Sequence, residues 1–546
     1  MNDFVFGIIG GIALLMYGVG KLGDGLEKAS GKIMKTILRV LTGKVWSAFL
    51  VGTVITALVQ SSTAITVLTV GFVNAGLMKL PQAVGIIYGA NIGTTITAQL
   101  MAFSFNFKLT DVALLILGAG FAINYFARKE MLKHIGDAIM GFGMMFLGLK
   151  ILNSGIPFMQ GSETLKYFFL NYASIPIIGI VLGATATALV QSSSATVGLV
   201  MVLGMAGLVD LKSAICIMLG DNIGTCITAQ LASLKGNIHA RRTAWAHTLY
   251  NIIGVMIALM ILPLFVKIIS VTTVYLQPES NISAQIANSH TIFNLLSAII
   301  FLPLTRYYVK FLELIIRGKE EKDATKYLDK LLLDTPIAAI KASLSEIIRA
   351  AQISKEMVMS VLDAFNKGDE KKLDLVLEDE IIMNKLQRDI TSYTVEISKQ
   401  SLRESQSRMI PALINSINHL ERVGDHAESL CELCKLKIDR NLPFSPKAIE
   451  ELQELKTIIE GMFDKSIKAL NENDAQLVQE IAEMEEQVDQ ISAHLVESHI
   501  RRLEEGRCTV ESGVIFIDII NYLERIADHV YKYCREASVD FHKLAE

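Results

Sequence analysis

Cysteine, proline and tryptophan are scarce in this chain, and cationic side chains are missing from two long stretches of it. Of 546 residues, 6 are cysteine, 10 proline and 2 tryptophan. The cysteines are scattered, which excludes a secreted disulfide framework. Cys431 and Cys434 form a lone CxxC and are read as structural. No Lys or Arg occurs between Trp46 and Met78, or between Ala173 and Leu211. Runs of that length without a cation exclude an ordinary solvated surface and suit hydrocarbon. The opening segment Met1 to Phe4 has no basic residue, so no removable signal peptide is expected.

What is present falls into two unlike parts. Residues 1–317 hold 21 Lys/Arg and 11 Asp/Glu, a net of +10, whereas residues 318–546 hold 30 and 44, a net of −14. The first part carries the long apolar runs and the second carries dense charge at helical spacing. We read residues 1–317 as a membrane domain, 318–334 as a linker and 335–546 as an acidic soluble domain, all of it α-helical.

The membrane part repeats itself. Residues 52–102 and 183–233 are identical at 26 of 51 positions without a gap, a shift of 131. TALVQSSTA (Thr56 to Ala64) matches TALVQSSSA (Thr187 to Ala195), and GANIGTTITAQL (Gly89 to Leu100) matches GDNIGTCITAQL (Gly220 to Leu231). Upstream, the segment at Met16 pairs loosely with that at Phe146. Repeat one spans about 5–127, repeat two about 135–269, and a final helix about 289–316.

Cationic residues place the two repeats in opposite senses. Lys21, Lys28, Lys32, Lys35, Arg39 and Lys44 follow the first helix of repeat one, while the equivalent stretch of repeat two has only Lys166 with Glu163. After the NIGT segment the bias reverses: repeat one has Lys108 with Asp111, and repeat two has Lys235, His239, Arg241 and Arg242. Lys and Arg remain on the cytoplasmic side. The repeats are therefore expected to be inverted, a transporter architecture, with the N-terminus outside and the acidic domain in the cytoplasm of a bacterial inner membrane.

The matching segments are polar where packing alone would retain only size and apolarity. Gln60, Ser61, Ser62 and Thr63, and likewise Gln191, Ser192, Ser193 and Ser194, interrupt apolar stretches. So many adjacent polar groups cannot all face one side of a helix, so a break or re-entrant turn lining a wet cavity is expected. Glycines and threonines around Asn91, Thr94 and Thr95, and around Asn222 and Thr225, suggest a second break in each repeat. Helix N-termini suit an oxyanion, and hydroxyl and carbonyl oxygens suit a hard cation such as sodium. With no Lys or Arg beside them, a bound anion needs co-bound cations to balance it. Asp221, opposite Ala90, is an intramembrane acid that can ligate a cation, bind a proton or serve as a paired structural group.

Paired QSS motifs in two inverted repeats, each followed by GxNIGT, resemble the sodium-dependent phosphate cotransporter family over about residues 5–315. The resemblance implies that Gln60, Ser61, Ser62, Thr63, Gln191, Ser192, Ser193 and Ser194 hold phosphate and sodium. It makes Asn91, Thr94, Thr95, Asn222 and Thr225 supporting ligands. Repeat one reads QSST in place of QSSS, which keeps the hydroxyl.

The acidic domain also repeats. HLERVGDHAESL (His419 to Leu430) matches YLERIADHVYKY (Tyr522 to Tyr533), a shift of 103, and five helix breaks give six helices, or two three-helix bundles. Glu421 and Asp425, and Glu524 and Asp528, stand at i and i+4, where like charges repel. Glu380 with Asn384, and Glu485 with Asp489, lie upstream. This duplicated acid set suits a divalent or iron-type metal, with His426 or His529 nearby. The domain is similar to the PhoU family of phosphate regulators, which implies acidic metal clusters; Asn384 weakens the first.

The sequence thus predicts sodium-coupled symport of inorganic phosphate by a non-enzymatic transporter with a cytoplasmic sensing domain. An exporter of the same fold, and a membrane-tethered regulator that does not transport, use the same residues. The expected partners are phosphate, sodium, membrane lipid, and a second copy or a regulatory protein, with no nucleic acid.

Overall fold

The computed structural model describes residues 2–30, 44–169, 174–234, 236–277, 281–318 and 325–539, in two units, Met1–Glu320 and Glu321–Glu546. The regular structure among the described residues is helical throughout.

In the first unit, repeat one comprises α1 (Asn2–Ser30), α2 (Val45–Val59), α3 (Ser62–Asn74), α4 (Leu80–Asn106) and α5 (Ala113–Phe126). Then come α6 (Glu130–Ser154), the short α7 (Ile156–Gly161) and α8 (Glu163–Phe168), α9 (Pro176–Val190), α10 (Ser193–Met205), α11 (Leu211–Gly224), α12 (Cys226–Ser233) and α13 (Ile238–Met260). The unit ends with α14 (Leu262–Leu276) and α15 (Ile282–Ile315). Among the described residues six stretches are long and apolar enough to cross a membrane, carried by α1, α5, α6, α11 with α12, α13 and α15. By contrast α2 has 15 residues and α3 has 13. A helix of 15 residues is about 22 Å long, short of the roughly 30 Å of hydrocarbon.

Helices α1 and α6, equivalent in the two repeats, pack through glycines spaced by seven. A Cβ on Gly18 would lie 2.3 Å from Met145 N, and one on Gly141 would lie 2.2 Å from Leu22 N. Glycine alone admits backbones this close, as is usual where membrane helices meet. Lys21 Nζ and Asp137 Oδ1, 2.8 Å apart, join the same pair. Equivalent residues of the two repeats also share buried clusters. Ala98 of repeat one shares a buried cluster with Met201 of repeat two. Their counterparts Ala229 and Val70 share another.

The second break expected at each NIGT segment is not found in repeat one. Helix α4 runs unbroken through Asn91, Thr94 and Thr95. The Thr94 hydroxyl donates to Ala90 O at 3.0 Å and the Thr95 hydroxyl to Ile92 O at 2.8 Å, so the helix satisfies its own polar side chains. In repeat two the interruption is present but confined to Thr225, which separates α11 from α12 while staying in the right-handed region at φ −62° and ψ −22°. The final helix starts at Ile282, where the Asn281 side chain accepts from the N–H groups of Ser283 and Ala284.

The second unit comprises α16 (Pro336–Lys367), α17 (Glu370–Ser398), α18 (Glu404–Asp439), α19 (Pro446–Glu472), α20 (Ala475–Glu504) and α21 (Val510–Val539). Each has an apolar stripe at helical spacing, such as Leu413, Ile417, Leu420, Val423 and Ala427 on α18, all buried. Gly368 and Asn473, at φ 70° and 57°, end α16 and α19 in the left-handed conformation that closes helices. The two ERxxDH helices, α18 and α21, lie side by side, with the Ser416 hydroxyl donating to Tyr533 O at 3.2 Å.

Candidate functional site

Each QSS motif breaks its helix in the same way. Helix α2 ends at Gln60 (φ 58°, ψ 21°) and α9 ends at Gln191 (φ 56°, ψ 26°). A left-handed backbone is unusual for a residue with a side chain, and its recurrence at equivalent positions marks a specified feature. The next residue is extended in both cases and caps the following helix. Ser61 Oγ accepts from Ala64 N at 3.2 Å and Ser192 Oγ from Ala195 N at 3.3 Å. Since the first turn of a helix has N–H groups with no intrahelical acceptor, those of Ser62 and Thr63, and of Ser193 and Ser194, are available to a ligand.

The two breaks differ in their surroundings. Gln60 is 6 % exposed, donates to Ala57 O and accepts from the Thr97 hydroxyl at 2.6 Å. Gln191 is exposed. No hydrogen bond joins Gln60 to Gln191 among the described residues. Ser62 and Ser194 are buried, while Ser61, Thr63, Ser192 and Ser193 are half-buried.

Asp221 is fully buried. Its Oδ1 accepts from the Thr187 hydroxyl at 2.6 Å, and Thr187 stands 2.8 Å from Thr196 Oγ1. Asp221 Oδ2 is buried without a hydrogen-bond partner among the described residues. Repeat one has Ala90 and Ile65 in place of Asp221 and Thr196, and there the hydroxyl of Thr56, the counterpart of Thr187, has no hydrogen-bond partner among the described residues. Asn91 and Asn222 are both buried, and each meets an asparagine of a later helix: Asn91 Nδ2 donates to Asn251 Oδ1 at 3.0 Å, and Asn294 Nδ2 donates to Asn222 Oδ1 at 3.3 Å. Thr97, Thr187, Thr196, Asn251 and Asn294 were not singled out from the sequence. The duplication runs through Thr97 and Thr187, which was the signal available for them.

In the second unit the acids gather in two sets. On α17 and α18, burial first and then the charges of Glu428 and Asp425 raise the Glu380 carboxyl, and burial with Asp425 raises Glu421. Asn384 donates to Glu380, an interaction the second bundle lacks because Asp489 stands in its place. On α20 and α21, burial raises Glu485, Asp489 and Glu524, and the Asp528 charge adds to all three. These oxygen donors are of the right type for a hard cation. However, among the described residues no three His, Cys, Asp or Glu side chains converge as metal ligands would. Three histidines meet between α18 and α21. The Nδ1 atoms of His419 and His529 are 3.1 Å apart, and the His426 and His529 rings stack at 5.6 Å.

The sequence pattern of the Na+/Pi-cotransporter family matches residues 14–154 and 157–276, and that of the PhoU domain matches 347–434 and 452–537. Over 252 residues the chain is 31% identical to the uncharacterized protein YqeW of Bacillus subtilis, covering 45% of this chain and 79% of YqeW. The chain belongs to the Na+/Pi-cotransporter family. The chain is also similar along nearly its whole length to the Escherichia coli K12 protein called "Putative inorganic phosphate export protein YjbB", 25% identical over 528 residues, 95% of this chain and 94% of that one. The crystal structure of PhoU from Pseudomonas aeruginosa covers 38% of this chain and 99% of its own, with 20% identity and a TM-score of 0.36. As a member of the Na+/Pi-cotransporter family, the chain is a multi-pass membrane protein whose transported substrate is phosphate.

Proposed function

We propose that this chain exports inorganic phosphate through the space between its two QSS breaks, in company with a cation, and that its PhoU domains sense phosphate status in the cytoplasm. The observation that carries this reading is the pair of left-handed glutamines, Gln60 and Gln191, each followed by a serine-capped helix N-terminus. Two helix ends of this kind offer N–H donors and a positive dipole to an oxyanion. Ser61, Ser62, Thr63, Ser192, Ser193 and Ser194 add hydroxyls. Asn91, Thr94, Thr95, Asn222 and Thr225 support them from the adjoining helices.

Coupling follows from charge. The legs of both breaks lack Lys and Arg, so an oxyanion entering there needs a travelling cation to offset its desolvation. Asp221, with one oxygen on Thr187 and the other unpartnered, is the group we assign to that cation, with sodium as the candidate. The outward direction replaces the inward symport expected from sequence, because YjbB proteins of Escherichia coli and Salmonella typhimurium, similar along almost the full chain, are named for export.

The test is labelled phosphate flux in proteoliposomes with sodium on the inside, the outside or both, and with sulfate as competitor. Saturable phosphate flux that sulfate does not inhibit and that Gln60→Ala abolishes supports the reading. Wild-type flux from both Gln60→Ala and Gln191→Ala, or no flux from the wild type, overturns it.

A further inference from the structure

A second duplication, at a different spacing from the first, lies in the last helices of the membrane unit. Helix α13 contains His247-Thr248-Leu249-Tyr250-Asn251, and α15 contains His290-Thr291-Ile292-Phe293-Asn294, a shift of 43. The two segments have the same local geometry. Asn251 Nδ2 donates to His247 O and Asn294 Nδ2 to His290 O, both at 3.0 Å. The Thr248 and Thr291 hydroxyls each donate to the carbonyl four residues back, at 3.1 Å. His247, Asn251, His290 and Asn294 are each at most 3 % exposed.

Their partners are equivalent residues taken crosswise from the two repeats. On α13, Asn251 accepts from Asn91 of repeat one, while Thr248 accepts from Gln230 Nε2 of repeat two at 2.7 Å. On α15, Asn294 donates to Asn222 of repeat two, while Thr291 accepts from Gln99 Nε2 of repeat one at 2.8 Å. Asn91 and Asn222 are counterparts, as are Gln99 and Gln230. Each HTxxN segment therefore ties the NIGT asparagine of one repeat to the TAQL glutamine of the other. On the repeat-one side His247 Nε2 also meets Asn91 Oδ1 at 3.3 Å.

We propose that the two HTxxN segments form a crossed clasp that holds the two repeats in register, with Thr248, Asn251, Thr291 and Asn294 as positioning residues for phosphate movement. The clasp rests on the transport reading above. It acts on α4 and on α11 with α12, the helices that carry the supporting ligands, and Thr97 on α4 binds Gln60. Buried amides and hydroxyls are expensive in hydrocarbon, and packing alone would be served by apolar side chains of equal size. Four such bonds placed crosswise make motion of one repeat felt by the other.

Single interhelical hydrogen bonds add little to the stability of membrane folds. Thr→Val is nearly isosteric and removes one acceptor, so the fold should survive it. The experiment measures labelled phosphate flux and melting temperature for the full-length protein in proteoliposomes, comparing wild type, Thr248→Val, Thr291→Val, the double variant and the corresponding Thr→Ser variants. We expect the double variant to lose about tenfold in maximal flux, the scale of one or two net hydrogen bonds, with KM close to wild type. The Thr→Ser variants should retain flux, and Gln99→Met combined with Thr291→Val should be no worse than either alone. Wild-type flux from the folded double variant overturns the clasp, as does a loss that tracks melting temperature and that serine does not rescue. A wild type without phosphate flux removes the transport reading itself, and the clasp's role in it.

Discussion

Thr97 donates a 2.6 Å hydrogen bond to the side-chain carbonyl of Gln60, holding the first break closed over its own amide. Thr228 occupies the position equivalent to Thr97, yet no such bond joins it to Gln191 among the described residues, and Gln191 is exposed. Equivalent motifs thus sit in unequal environments. Thr97→Val should free Gln60 without unfolding the helix. We expect phosphate flux to change by about three- to tenfold, the range for one net hydrogen bond, whereas Thr228→Val should leave flux near wild type. Parallel flux measurements on the two variants check this.

Asp221 provides a second test of asymmetry. Its carboxylate has one oxygen on Thr187 at 2.6 Å and one unpartnered oxygen, in a repeat whose counterpart position is alanine. Asp221→Asn keeps the shape and the Thr187 contact but removes the negative charge that would hold a cation. The sodium concentration giving half-maximal phosphate flux should rise by at least about tenfold, since a charge-assisted contact is worth roughly 1.5–3 kcal/mol. An unchanged sodium titration would take Asp221 out of the coupling.

Close helix packing behind the breaks rests on Gly89 and Gly220. A Cβ on Gly89 would lie 2.1 Å from Phe49 O, and one on Gly220 would lie 1.9 Å from Ile180 O. The obstructing atoms are backbone, so the helices must separate. Gly89→Ala and Gly220→Ala should each destabilise the protein by at least about 1–3 kcal/mol, the usual cost of overpacking. Thermal melting in detergent should show both falling together, with Gly118→Ala, where nothing lies within 4 Å, as the control.

Sequence carried much of this, for identifiable reasons. Gln60-Ser61-Ser62-Thr63 is legible as a break because no helix face can hide four adjacent polar groups. Asn91-Thr94-Thr95 was misleading for the converse reason: those threonines bond to carbonyls of their own helix, and α4 stays whole. The HTxxN pair escaped notice because it is five residues long, recurs at 43 residues in place of 131, and reads as helix core. The inequality of Gln60 and Gln191 could not be read from matching sequences; it comes from what packs around them.

The acid pairs of the second unit carry a cost at neutral pH. Burial and mutual repulsion raise Glu421, Glu485, Asp489 and Glu524, so each charged set strains the bundle that holds it. Asp425→Asn with Asp528→Asn should raise the melting temperature of the full-length protein in chelator, by the equivalent of about 0.5–1 kcal/mol for half-buried, solvent-screened like charges. If these acids hold a divalent ion, Mg2+ or Mn2+ should raise the wild-type melting temperature and leave the double variant unmoved. A wild type indifferent to both ions would remove Mg2+ and Mn2+ as the metal expected from the sequence.

Where α18 meets α21, His529 is held neutral. Burial comes first, followed by the neighbouring His419, and together they push its imidazole down to about 4, with Asp528 opposing. The Nδ1 atoms of His419 and His529 at 3.1 Å form a hydrogen bond only if one ring lends a proton and the other a lone pair. A depressed imidazole contributes its full stability above the unfolded value, near 6.5, and loses it as pH falls toward 4, because the unfolded chain takes the proton that the fold refuses. The acids act in the opposite sense, gaining as their raised carboxyls protonate, but only nearer the carboxylate range. Stability of the second unit should therefore decline from about pH 6.5 to 5 by on the order of 1 kcal/mol, discounted for the half-exposed ring. His529→Gln should flatten that decline while leaving the stability at pH 8 within about 1 kcal/mol of wild type, since glutamine keeps one donor and one acceptor. Melting of the full-length protein across pH 5–8 separates the two curves, and an unaltered slope in His529→Gln would assign the pH response to the carboxylates instead.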